Sequence, residues 1–140
     1  MSKSSDWDIQ ARNGRKESVM SVTKEALLGL KLRRVAVPAP EISPDAVVTV
    51  QEPDGATSER LGAADYPLGE DGVVRFAPAG RLARWAIACV VDDAGKPIFT
   101  DDDTEAIENM PSGLLRRVFN AARELDGATP AAVESEAKNS

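Results

Sequence analysis

Three consecutive carboxylates, Asp101, Asp102 and Asp103, are the residues whose type and spacing come nearest to chemistry. Adjacent acids can hold a hard cation, or divide the acid and base work of a hydrolase. A calcium loop opened by Asp101 needs glycine at its sixth position and a bidentate acid at its twelfth. Those positions hold Ala106 and Ser112. A two-carboxylate hydrolase is no better served, because no set of substrate-stacking aromatics accompanies the acids. A local role fits instead. Thr100 stands three residues before Asp103, the capping-box spacing in its aspartate form, and acids in a first helical turn face the partial positive charge of unpaired N–H groups. Thr100 and Asp103 are therefore read as helix-capping residues.

Other chemistries are excluded by residue type. The chain has no histidine, which removes Ser-His-Asp and Cys-His catalysis and histidine-ligated zinc and iron. Cys89 is the single cysteine, so no internal disulfide is available and a reducing compartment suits it. It sits in the apolar run from Trp85 to Val91, where a small buried hydrophobe is the better reading than a reactive thiol. There is no phosphate loop, dinucleotide glycine fingerprint, CxxC pair or internal repeat. No catalytic, metal-binding or cofactor-binding residue is assigned, and the protein is expected not to be an enzyme.

Length and composition set the scale of what must position these residues. A chain of 140 residues with 42% hydrophobic and 29% charged residues supports one domain with one modest core. Its formal charge of −6 is unevenly spread. Residues 1–34 carry Lys3, Arg12, Arg15, Lys16, Lys24, Lys31, Arg33 and Arg34 against Asp6, Asp8, Glu17 and Glu25, a local +4, which leaves −10 on the remainder. The acidic body argues against binding nucleic acid, and the basic arm has only Trp7 as a stacking aromatic. The N-terminus lacks an apolar signal core, and no span approaches the roughly 20 apolar residues a bilayer needs. A cytoplasmic protein with no membrane partner is expected.

The pattern of elements predicts a small single-domain α+β fold: an N-terminal helix and short antiparallel strands, then two C-terminal helices, with flexible termini. Residues 1–19 read as a disordered leader ahead of a second methionine, Met20, which is an alternative start. Residues 20–127 read as the folded domain and 128–140 as a flexible tail. Thr23 can cap a short helix containing Glu25, Leu27, Leu28 and Leu30. "LRRVAV" and "DAVVTVQE" form neighbouring strands separated by Pro38, Pro40 and a Ser43-Pro44-Asp45 turn. Pro53-Asp54-Gly55 reads as a turn, the following stretch as a short helical turn, and Val73 to Phe76 as strand-like.

Residues 81–91 fit helix by the spacing of Leu82, Trp85, Ala86 and Cys89, and strand by the dense run from Ile87 to Val91, with strand favoured at the end. "KPIF" would then pair back across the Asp-Asp-Ala-Gly turn. Met110 to Gly113 breaks the helix begun at Thr100, with Ser112 as the next cap. The last helix places Leu115, Val118, Phe119, Ala122 and Leu125 on one apolar face, with Leu114, Arg116 and Arg117 exposed, and Gly127 closes it. Packing on the sheet is the first reading of that stripe, and partner contact the second.

The order of segments adds to this. "TKEALLGLKLRRVAVPAPE", "VVTVQEPDGATSERL", "ACVVDDAGKPIFTDDDTEAI" and "LLRRVFNAARELDG" follow one another in a way that resembles tail assembly chaperones of long-tailed, siphovirus-type bacteriophages and prophages. The shared features are a leading helix feeding the Val35-x-Val37-Pro38 strand, a second strand followed by Ser58-Glu59-Arg60, the Asp92-Asp93-x-Gly95-x-x-x-Phe99 turn, an acidic helix start, and a last helix finishing in Leu125-Asp126-Gly127. The resemblance spans Val22 to Gly127, while the leader and the stretch from Leu61 to Gly80 have no clear counterpart.

It implies a chaperone that binds the tape measure protein in the host cytoplasm, keeps it soluble, helps recruit tail tube protein and is not retained in the virion. Leu114, Leu115, Val118 and Phe119 are the contact residues expected on that reading. Self-association into a homo-oligomer and a longer form made by programmed frameshifting are also implied. Ala137-Lys138-Asn139 is compatible with an A-AAA-AAC slippery heptamer. The alternatives are a structural connector or tail-terminator component, and a bacterial protein-interaction adaptor.

Overall fold

The computed structural model describes residues 21–127; the leader read at 1–19, Met20, and the tail read at 128–140 with its Ala137-Lys138-Asn139 triplet lie outside the described residues. The chain divides into two compact units, Met1–Lys31 and Leu32–Ser140. In the first, the Thr23 hydroxyl accepts the Ala26 N–H at 3.1 Å and starts the helix α1, Lys24–Leu28. Gly29 ends it by donating its N–H to the Glu25 carbonyl at 3.0 Å. None of the residues of α1 is buried.

The second unit is built on an antiparallel sheet. Strand β1, Arg34–Pro38, pairs with β2, Val47–Gln51, in a register that sets Val35 opposite Val50 and Val37 opposite Val48. Pro38 is tolerated because it sits at the end of an edge strand, where no ladder donor is required. The two-residue strand β3, Val90–Val91, pairs with Thr49 and Val50 and completes the order β1-β2-β3. Alternation along β1 and β2 turns Val37 and Val50 into the core, where Val90 of β3, opposite Val50, joins them.

Helices cover that face. Pro53-Asp54-Gly55 is more than a turn: Asp54 Oδ1 accepts the Thr57 N–H at 2.8 Å and caps the eleven-residue helix α2, Gly55–Asp65. Helix α3, Arg81–Cys89, takes Ile87, Ala88 and Cys89 away from the strand favoured at the end of this segment. Helical spacing prevails because it buries Ala86 and Cys89 together with Ala83 and Trp85. The extended backbone begins at Val90. Residues 73–76, strand-like in composition, pair only through an isolated bridge between Leu68 and Val74.

A turn of 3-10 helix, Asp101–Asp103, leads into α4, Thr104–Glu108, and α5, Ser112–Asp126, closes the unit at Gly127, whose φ of 75° is left-handed. Helix α5 packs on α3 and on both β1 and β2, so Leu114, Leu115, Val118 and Ala122 meet Val37, Val50, Ala86 and Cys89 in one core.

Candidate functional site

Helix α5 carries the four residues expected to meet a partner, and three of them are interior. Leu114, Leu115 and Val118 are only 3%, 5% and 3% exposed. The expectation of an outward Leu114 fails because α5 packs on α3 and the sheet at once, which demands an apolar arc wider than a single i, i+3, i+4 stripe. Phe119 is half-buried and separate from the other three: its ring meets Trp85 edge-on at 5.5 Å, and the guanidinium of Arg81 lies 4.7 Å from its centroid. Arg117 is held by Glu41, to whose carboxylate it donates two bonds of 2.6 Å, and these keep the Glu41 carboxyl below its ordinary range.

The interior position does not remove Leu114, Leu115 and Val118 from a surface site. Together with Met110 they form the floor of an open, largely apolar groove of about 420 Å³. Strands β2 and β3 give it a wall of Val48, Thr49 and Val90. Its rim is apolar and exposed, with Ile42 at 70%, Val47 at 57% and Ile98 at 54%, interrupted by Asp92 and Asp93.

Ile98 is positioned by a tight turn that its sequence dictates. Asp92 Oδ1 accepts the N–H groups of Ala94 and Lys96, each at 2.9 Å, and Gly95 takes a φ of 86°. The Ile98 N–H then donates to the Val90 carbonyl at 3.2 Å, as the pairing of "KPIF" back across the turn requires. Arg34 braces the turn from β1, donating to Gln51 Oε1 at 2.8 Å and to the Asp93 carbonyl at 3.2 Å.

The aspartates are engaged in starting a helix. The Thr100 N–H donates to Asp103 Oδ2 at 2.8 Å, and the Thr104 hydroxyl donates to the Asp101 carbonyl at 2.7 Å. Ser112 is not the cap of the last helix: it is the first helical residue, Pro111 flanks it, and no side chain caps that end. Proline fits just ahead of a helix because its missing N–H would find no intrahelical acceptor there. Among the described residues no group of three or more acids, cysteines or histidines is placed to hold a metal ion. Burial, with a smaller contribution from the charge of Asp126, pushes the Cys89 thiol up to about 12, so it packs as a neutral group.

Asp65 escaped the reading of the sequence. It is 2% exposed, and its carboxylate accepts bonds from Arg81 Nε at 2.8 Å, Arg84 Nη2 at 2.9 Å and Trp85 Nε1 at 3.3 Å. All three donors come from α3, so the carboxylate at the end of α2 locks the two helices together. Arg81 is also sandwiched between Phe76, at 4.9 Å, and Phe119. The signal in the sequence was a cluster of arginines flanking Trp85 with no acid of its own nearby.

Searches against protein families and curated proteins find no match. The chain is similar to a solved structure of the bacteriophage HK97 tail assembly chaperone, with 19% sequence identity and a TM-score of 0.49 over 72% of this chain and 90% of that one. Among the described residues no helix is long and apolar enough to cross a membrane.

Proposed function

We propose that the protein is a tail assembly chaperone of the long-tailed phage type. It binds the tape measure protein in the host cytoplasm, keeps that protein's apolar helices soluble, helps recruit tail tube subunits, and leaves before the virion is complete. It acts by binding, with no chemical step of its own. The observation that carries the binding is the groove: apolar floor, apolar wall and the exposed Ile42, Val47 and Ile98 on its rim. An amphipathic helix docks in such a groove through side chains at i, i+3, i+4 and i+7. The order of segments from Val22 to Gly127 supports the choice of client, and the acidic body keeps a complex in solution.

The test is co-expression with a tape measure protein of a long-tailed phage from the same genome, measuring the client's soluble fraction with and without this chain. Solubilisation in a complex with this chain is expected. A client equally insoluble in both cases would overturn the proposal, and recovery of this chain in mature particles would favour a structural connector or tail-terminator component.

A further inference from the structure

Between α2 and α3 the chain folds into a two-stranded arm. The Ala77 N–H donates to the Asp65 carbonyl at 2.7 Å, the Arg75 N–H to the Pro67 carbonyl at 3.4 Å and the Gly69 N–H to the Val73 carbonyl at 2.9 Å, around the antiparallel bridge of Leu68 and Val74. These bonds use every second residue. The backbone groups of Val74 and Phe76 therefore point away from the arm, and among the described residues their N–H and carbonyl groups have no partner. The same alternation sets Tyr66, Leu68, Val74 and Phe76 on one face, exposed by 52%, 69%, 56% and 47%, with the rings of Tyr66 and Phe76 5.3 Å apart. An unpaired edge beside clustered apolar side chains is what an added strand requires.

Phe76 also lines a cleft of about 380 Å³ with Pro78, Leu82 and Phe119, and two arginines reach it. Arg81 is bonded to Asp65 at 2.8 Å. Arg116 is exposed and has neither a hydrogen bond nor an ion pair among the described residues. On a chain of net charge −6, the cleft thus keeps a cation to be met from outside. We propose that this surface binds an extended, acidic segment of a partner protein, which adds as a strand along Val74 to Phe76, rests apolar side chains on the face of the arm and places a carboxylate on Arg116. The arm and its cleft share no lining residue with the groove, so both surfaces can be filled at once.

The experiment is an amide NMR titration of the full chain with a synthetic peptide of about eight residues, in which valine and threonine alternate and one end carries glutamates. Shifts centred on residues 73–77 and on the lining of the cleft are expected. Arg116→Glu should weaken binding about tenfold, and a peptide with lysines in place of the glutamates should bind that variant better than it binds the wild type. Val74→Pro removes an outward N–H and no bond within the arm, so it should weaken binding by a similar factor. Circular dichroism checks that both variants fold. Should Val74→Pro unfold, the same peptide N-methylated at alternate residues tests the edge on the wild type, and it should lose binding. No binding by the wild type, equal binding by Arg116→Glu, undiminished binding of the N-methylated peptide, or shifts at Ile42 and Ile98 in place of the arm would each overturn the proposal. So would amides of Val74 and Phe76 that shift with protein concentration before peptide is added, because a second copy would then already hold the edge. None of these results bears on solubilisation of the client, so the proposed function stands or falls separately.

Discussion

Asp65 concentrates more interactions than any acid in the sequence announced. Burial is the largest influence on its carboxyl and acts upward, but hydrogen bonds from Arg84, Arg81 and Trp85 together outweigh it and hold the carboxyl below its ordinary range. Removing the acid leaves two guanidinium groups without their partner, so Asp65→Ala should cost about 3–5 kcal/mol in urea unfolding at neutral pH. The sign of the pH dependence follows from the lowered value. The stabilisation is fully present above the unfolded carboxylate range, near about 4, and is lost as pH falls through the lower folded value. Unfolding measured from neutral pH down to about 2.5 should therefore show an acid loss in the wild type that is smaller in Asp65→Asn. Asp103 is a milder case. Asp103→Ala removes the acceptor of the Thr100 N–H and should cost about 0.5–1 kcal/mol. The capping spacing was legible because it is local, whereas the partners of Asp65 lie 16 to 20 residues away.

Elements with strong local signals were readable: Thr23 before α1, the valine-rich hairpin, and the break at Pro111. Helix α2 was not, because its glycines and alanines leave Leu61 as its one buried apolar side chain and no clear stripe. The segment from 81 to 91 is a helix that becomes a strand at Val90, and an apolar run shared by two elements satisfies neither period alone. Helix α5 was recognised, but its outward face was misplaced because its two packing partners are remote in sequence. Leu115→Ala should accordingly act first on stability, lowering it by about 2–5 kcal/mol as a core truncation does. Gly95→Ala tests the turn that carries Ile98. A Cβ there is strained by the positive φ and runs into the guanidinium of Arg34, so the variant should lose about 1–2 kcal/mol, read as a lower urea midpoint.

At the scale of the whole molecule, composition and segment order supported a small α+β protein, and three antiparallel strands with five helices are what the described residues contain. The groove was not legible as a site. Its floor comes from α5, its wall from β2 and β3, and its rim from two separate loops and the start of β2, so it exists only once the long-range packing is in place. Three of the four residues read as contacts nevertheless line it, because an apolar face that closes a core at its centre can leave that core open at its edge.

The most direct measurement is the soluble fraction of the tape measure protein co-expressed with the wild type or with Ile98→Glu, whose exposed position spares the core. The account predicts a soluble client with the wild type and an aggregated one with the folded variant. A client equally soluble with both would contradict the groove as its binding site, and one insoluble with both would contradict the chaperone function itself.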